Sequence, residues 1–357
     1  KKEFPELDLS PKNPEIIEQL FDKVSLNLTI LNQSQDLSSE EAKTKQKLEN
    51  YLMILEHIKF EDKKNLVIWN PELSKAQMRN RDEPDLAIKP IFVGDFSRNF
   101  SESCGEVLCY FSATVNYKEF CFANGFDPDE VAYIEMPSDF PPEESPIIEM
   151  FSCLDLPTGV NSFNWRTKFD VLAAQVDFLE EILEQIKDQR VLIHTHSLQN
   201  EEHMKKNIKA PFGKTLIYGM DYDDKDEAIE EFKNTPNSVL FSYSSYEGID
   251  LPDDLCRVVI FLKIPYLPMV DPWVKARSNY SHPDGRKNNF YAWQTCQKII
   301  QGVSRHIRNN KDWGVSILLD NPKNILKYNY DLFPRRFIER FEQSDQVVQN
   351  VVNRVIK

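Results

Sequence analysis

A chain of 357 residues can hold two domains and bury a sizeable core. Its 57 acidic and 43 basic side chains leave a net charge of −14, which excludes a surface that is basic all over but permits local basic stripes that contact phosphate. No apolar stretch reaches the length needed to cross a bilayer as a helix, so a membrane-embedded reading falls away.

The chain opens on Lys1 with no leader-like pattern, as expected of an internal or C-terminal part of something longer. Residues 1–87 are polar and helical in pattern. Asn13-Pro14 opens a helix through Ile17, Leu20 and Phe21 to about Leu31. Ser38-Ser39-Glu40-Glu41 has the form of a cap for a second helix, through Leu48, Tyr51, Leu52, Leu55 and Ile58. Short strand-like runs fall at 65–69 and 91–94, and Val107 to Ser112 has a buried-strand pattern ending in Ser112-Ala113-Thr114. The six cysteines, Cys104, Cys109, Cys121, Cys153, Cys256 and Cys296, read as reduced thiols of an intracellular chain. The first three lack a CxxC pair and a clear fourth partner, which favours buried thiols over a metal or iron–sulfur site. Met136 to Pro142 is proline-rich and reads as an extended linker.

From residue 143 onward strands and helices alternate. Leu172, Val176, Leu179, Leu183 and Ile186 mark one helix face before the strand Val191-Leu192-Ile193. A helix after Ser197 leads to Leu216-Ile217-Tyr218, and a helix around Ala228-Ile229 and Phe232 leads to Val239–Phe241. Val258–Leu262 is the next strand, and a helix through Trp293, Cys296 and Ile299-Ile300 precedes Ile317-Leu318-Leu319. Several strands are apolar on both faces, which predicts an α/β layer with a mainly parallel sheet. The loops after its strands, Thr195-His196-Ser197, Ser244 to Asp250 and the one after Leu262, then share the edge where such sheets bind ligands. Acid is concentrated in Asp221 to Glu231. The basic stripes Lys205-Lys206, Lys209, Lys214 and Lys275, Arg277, Arg286, Lys287 read individually as solvated faces.

Four motifs carry chemistry. Gly213-Lys214-Thr215 resembles the end of a P-loop, but Ile208 stands where the loop needs glycine, and Thr215 leads into a strand instead of a helix. The chain therefore offers no phosphate cradle of its own. His194 and His196 have the spacing of half a metal site without a cluster to complete it, and read as a polar strand end. Arg305 and Arg308 have helix spacing and can send their forked donors to one anionic group, commonly a phosphate; a surface pair bridged to Asp312 is the plainer reading. Tyr246-Glu247-Gly248-Ile249-Asp250-Leu251-Pro252 places a carboxylate on a turn beside another strand.

In this order the segments resemble the superfamily-two helicases of the XPD/DinG group. Ser112-Ala113-Thr114 looks like motif III, Ile134 to Glu144 like the following connector, and Val191 to Ser197 like motif IV. Tyr246 to Pro252 is similar to motif V, and Gln301-Gly302-Val303-Ser304-Arg305-His306-Ile307-Arg308, with Asp312 and Gly314, to motif VI. Lys263-Ile264-Pro265-Tyr266 and Asp271-Pro272 resemble two further family elements. Ser304 departs from the pattern, standing where the family usually has glycine.

The resemblance implies a RecA-like parallel sheet with helices on both faces, preceded by a mainly helical segment. Residues 1–87 would end an arch-like insertion, 88–142 would close the first motor domain, and 143–357 would form the second. It implies ATP with Mg2+ held mainly by the first motor domain, and leaves an iron–sulfur cluster open for sequence preceding Lys1. Gln301, Arg305 and Arg308 would face that ATP. Glu247, Gly248 and Asp250 would couple it to DNA, with Ser112, Thr114, Thr195 and Ser197 on the DNA side. Implied partners are single-stranded or forked DNA, the first motor domain and a repair or replication complex, with no membrane, in cytoplasm or nucleus according to the host. The rival readings are a degenerate DNA-binding scaffold and a helicase fused to or partnered with a nuclease.

Overall fold

A computed structural model describes residues 15–34, 38–60, 66–69, 87–112, 114–136, 139–186, 188–209, 213–244, 249–282, 285–307 and 310–356. The described strands are β1 (Leu66–Trp69), β2 (Ala87–Pro90), β3 (Ile147–Glu149), β4 (Val191–His194), β5 (Thr215–Tyr218), β6 (Ser238–Ser242), β7 (Val258–Phe261) and β8 (Val315–Leu318). The helices are α1 (Ile16–Asn32), α2 (Ser39–Phe60), α3 (Gly94–Cys104), α4 (Tyr117–Ala123), α5 (Lys168–Gln185), α6 (Leu198–Asn207), α7 (Lys225–Asn234), α8 (Pro272–Ser278), α9 (Phe290–Val303), α10 (Lys323–Asn329), α11 (Arg335–Phe341) and α12 (Asp345–Val355).

The chain forms two units. The first comprises 1–100, 123–125 and 268–288. Here α1 and α2 bury Ile16, Ile17 and Leu55 with Leu20, Phe21 and Val24 against them. Ser38 caps α2 reciprocally: its hydroxyl accepts from Glu41 N (3.3 Å), while Glu41 Oε2 accepts from Ser38 N (2.8 Å). β1 and β2 pair antiparallel, and Trp273 of α8 donates from Nε1 to Pro90 O (2.7 Å). The strand expected at 91–94 is absent; β2 ends at Pro90, and Gly94 opens α3.

The second unit, 101–122, 126–267 and 289–357, holds a six-stranded parallel sheet in the order β3-β8-β7-β4-β6-β5. Alternate residues serve opposite faces, as the pleat requires. Val191, Ile193, Val239, Phe241, Val258 and Ile260 face α5, α6 and α12, where Leu172, Leu179, Met204 and Val351 are buried. Leu192, Leu240, Val259 and Phe261 face α7, α9 and α11, where Phe232, Ile299, Val303 and Phe337 are buried. This is the RecA-like architecture with helices on both faces.

Val107 to Ser112 does not form the expected strand. Val107 is 85% and Phe111 94% exposed, and no strand pairs with the segment among the described residues. Cys104 and Cys109 are accordingly exposed, as is Cys153, and of the three weighed as buried thiols only Cys121 is buried.

Candidate functional site

α9 carries the glutamine–arginine segment to the sheet. A Cβ on Gly302 would lie 2.3 Å from Cζ of Phe261, so glycine is what lets the last turn of α9 approach β7 this closely. The helix ends at Val303 with Ser304 as C-cap (φ −102°, ψ 9°). Arg305 therefore lies beyond the helix, its N–H closing a turn onto Gly302 O (3.3 Å), and the helical spacing expected for it does not apply. Arg308 lies outside the described residues. Serine is accommodated at 304 because φ is negative, and its hydroxyl accepts from Arg340 Nη1 (3.4 Å). The buried Arg340 also donates to Val303 O (2.9 Å) and Ser145 O (2.6 Å). Burial pushes its pKa down to about 9, which leaves it charged at neutral pH.

The half-buried Arg305 donates from Nη1 to Ile249 O (3.1 Å). That bond joins the end of α9 to the Gly-x-Asp turn, in which Ile249 and Leu251 are buried and Asp250 is exposed. Tyr246, Glu247 and Gly248 lie outside the described residues. Gln301 Oε1 is buried without a hydrogen-bond partner among the described residues. Gly314 packs under His306, where a Cβ would come within 2.4 Å of the ring and 2.6 Å of Arg257 O. Asp312, weighed above as the arginines' bridge, is buried and accepts from Arg257 Nη1 (3.4 Å).

At the C-terminal end of β4, His194 is buried against the Phe261 ring (centroids 4.7 Å apart). Burial, and then the nearby Arg305, holds its pKa down to about 3. His196 follows the strand in a left-handed conformation (φ 69°), so the two imidazoles do not share a strand face. Among the described residues no group of three His, Cys, Asp or Glu is placed to hold a metal ion.

Thr195 is fully buried, its hydroxyl donating to Glu201 Oε2 (3.3 Å). Glu201 Oε1 accepts from Met220 N (2.8 Å), and the carboxylate also takes the backbone N–H of Tyr243. One carboxylate thus ties together the loops after β4, β5 and β6. Ser197 caps α6, its Oγ accepting from Asn200 N (3.2 Å). Exposed Ser112 accepts from Thr114 N (3.2 Å), and Thr114 O accepts from Gln297 Nε2 on α9 (2.6 Å), so this segment is tethered to the helix that presents Gln301. Ala113 lies outside the described residues.

A basic group at the same sheet edge escaped the sequence reading. Burial, then the charges of Lys263, Lys298 and Lys168, holds the His196 pKa down to about 3, so three lysines act on one imidazole. Lys168 opens α5 and Lys298 lies within α9; as solitary lysines far apart in sequence they gave no signal. The stripes that were read behave differently. Lys205 pairs with Asp221, and Lys214 is buried, donating to Gln189 O (2.9 Å) and Asn237 Oδ1 (2.5 Å) on the segments leading into β4 and β6, at the opposite edge. Its P-loop look-alike is a structural tie.

Residues 179–334 match the family described as helicase C-terminal domain. The chain is 22% identical over 193 residues to the 3′-5′ exonuclease DinG of Staphylococcus haemolyticus, a match covering 53% of this chain and 21% of that protein. It is 34% identical over 100 residues to the ATP-dependent DNA helicase YoaA of Haemophilus influenzae, covering 27% of this chain and 16% of that protein. A solved XPD helicase structure aligns with a TM-score of 0.48 at 15% identity, covering 91% of this chain and 61% of that one. The chain thus spans about a fifth or less of the length of these two curated relatives.

Proposed function

Residues 179–334 are a helicase C-terminal domain of the XPD/DinG type, and from that premise we propose that the chain is the C-terminal portion of an ATP-dependent DNA helicase moving 5′ to 3′ on single-stranded DNA. Its second RecA-like domain would supply Arg305, Arg308 and Gln301 to an ATP site completed by a first motor domain, which would also hold most of the Mg2+ ligands. The observation that carries the reading is the Arg305–Ile249 hydrogen bond, which joins the two polar segments into one cluster. Gln301 Oε1, four residues before Arg305, is buried without a hydrogen-bond partner among the described residues, which is compatible with an acceptor role there.

Phosphoryl transfer depends mostly on positioning and on charge placed against the developing phosphate charge. Arg305 and Arg308 would supply that charge, and Asp250 with Glu247 and Gly248 would pass the nucleotide state to the DNA grip. Ser197 and Thr114 would contact backbone phosphates, while Thr195, locked to Glu201, shapes the loop that presents Ser197. Boundaries at 87 and 142 would separate arch, first motor domain and second. The name of the Staphylococcus relative favours, as a second reading, a helicase that works with a nuclease; an exonuclease pattern preceding the helicase motifs in the full gene decides it.

In the full-length protein, Arg305→Ala and Arg308→Ala are each expected to lower DNA-stimulated ATP hydrolysis by ~10³-fold or more while sparing DNA binding. Near-normal turnover in both variants overturns the arginine-finger role.

A further inference from the structure

Two large aromatic side chains stand in solvent beside the basic edge of the sheet. Trp165 is 80% and Phe169 64% exposed, although neither sits on a loose segment. The turn before α5 is locked: Thr167 Oγ1 donates to Ser162 O (2.6 Å), and Asn164 Oδ1 accepts from Arg166 N (2.9 Å) and Thr167 N (3.2 Å). Phe163 anchors the turn from below, buried with the Lys263 ammonium 5.1 Å above its ring. The Arg166 guanidinium stacks on the Trp165 ring at 4.8 Å, and the Phe169 ring lies 6.5 Å from that of His203 on α6.

In a chain of net charge −14, Arg166 lies over Trp165, Lys263 lies over Phe163, and Lys168 donates to Gln199 Oε1 on α6, while Lys298 acts with Lys263 and Lys168 on His196. Aromatic faces held rigid among cations are suited to one kind of occupant: a strand that carries both π-faces and phosphates.

We propose that Trp165 and Phe169 form a base-stacking platform for single-stranded DNA, beside ammonium groups of Lys168, Lys263 and Lys298 that hold its phosphates. The proposal rests on the nucleic-acid reading given above and adds to it contact with the bases themselves. Stacking would be blind to sequence, since every base has a π-face, yet it would distinguish a strand with bases from one without.

The test compares binding of oligothymidylate and of an abasic oligonucleotide of equal length to this chain, by fluorescence anisotropy across a salt series. The wild-type chain is expected to prefer oligothymidylate by about ten-fold or more, and the Trp165→Ala/Phe169→Ala double variant to bind both alike with an unchanged salt slope. Trp165→Phe is expected to restore most of the preference. Lys263→Gln is expected to weaken both ligands and reduce the salt slope by about one. Both aromatic side chains are exposed, so an unchanged melting temperature accompanies the double variant. A preference that survives the double substitution overturns the platform while leaving DNA binding intact; failure of the wild-type chain to bind either oligonucleotide overturns the nucleic-acid reading itself.

Discussion

Burial and hydrogen bonding pull the Glu201 carboxyl in opposite directions, and burial wins. The group is fully enclosed, and its pKa is pushed up from 4.5 to about 7 despite bonds from Met220 N, Thr195 and Tyr243 N. Between those two values the unfolded chain gives up the proton and the folded chain keeps it. Glu201 therefore favours the fold at low pH, and that contribution is lost as pH rises through about 7. His194 and His196 run the other way: with folded values of about 3 against 6.5, their contribution is complete above pH 6.5 and is lost as pH falls toward 3. A Glu201→Gln variant keeps both imidazoles, so subtracting its curve isolates the carboxyl. The urea midpoint of wild type minus that of the variant is expected to decline from pH 4.5 to 7 and to be level above. A difference that stays flat throughout means that the carboxyl is ionised in the fold over this whole range.

At the scale of elements, α9 is the part on which the site depends. Glycine inside a helix costs ~1 kcal/mol relative to alanine, so Gly302 needs a reason, and the 2.3 Å that would separate a Cβ there from Phe261 Cζ supplies it. Gly302→Ala is expected to destabilise the chain by ~1–3 kcal/mol despite its better helix propensity, because Phe261 is fully buried and has nowhere to yield. Adding Phe261→Leu should recover part of the loss, and absence of coupling between the two substitutions in denaturant titrations rules out the close contact as the cause. The same helix shows what the sequence could and could not convey. Its apolar spacing through Cys296, Ile299 and Ile300 was legible, as were β4 to β8, whose residues are apolar on both faces. Its end was not, since nothing local to Ser304 signals that Arg305 would turn back onto Gly302 O. β3 was missed because three residues are too few for a pattern, and Val107 to Ser112 was misread because an apolar run cannot show whether a neighbouring strand exists to pair with it. Arg305 and the 249–250 turn, which one hydrogen bond joins, stand out by residue type and order; the contacts of Glu201 with Met220 and of Arg340 with Ser145 and Val303 lie far away in sequence, where no local pattern shows them.

For the molecule as a whole, the proposed function gives this chain half of a catalytic site, and that reading can be tested through its phosphate-binding chemistry. An ATPase needs a cradle for the phosphate chain as well as charge against the transferring group. The chain's one P-loop-like lysine, Lys214, is buried between Gln189 O and Asn237, while Arg305 belongs to the cluster around Ile249 and α9. Freeing Lys214 for a nucleotide would break two hydrogen bonds and leave Asn237 Oδ1 and Gln189 O without the ammonium they hold. The purified chain is therefore expected to release no phosphate from ATP above background, with or without single-stranded DNA, and Lys214→Met is expected to lower its stability without changing that result. Adding the first motor domain in trans should raise hydrolysis, and Arg305→Ala in this chain should abolish the gain. Steady turnover by the chain alone, lost on Lys214→Met but not on Arg305→Ala, would place a complete nucleotide site within these residues and overturn the division of labour between two motor domains.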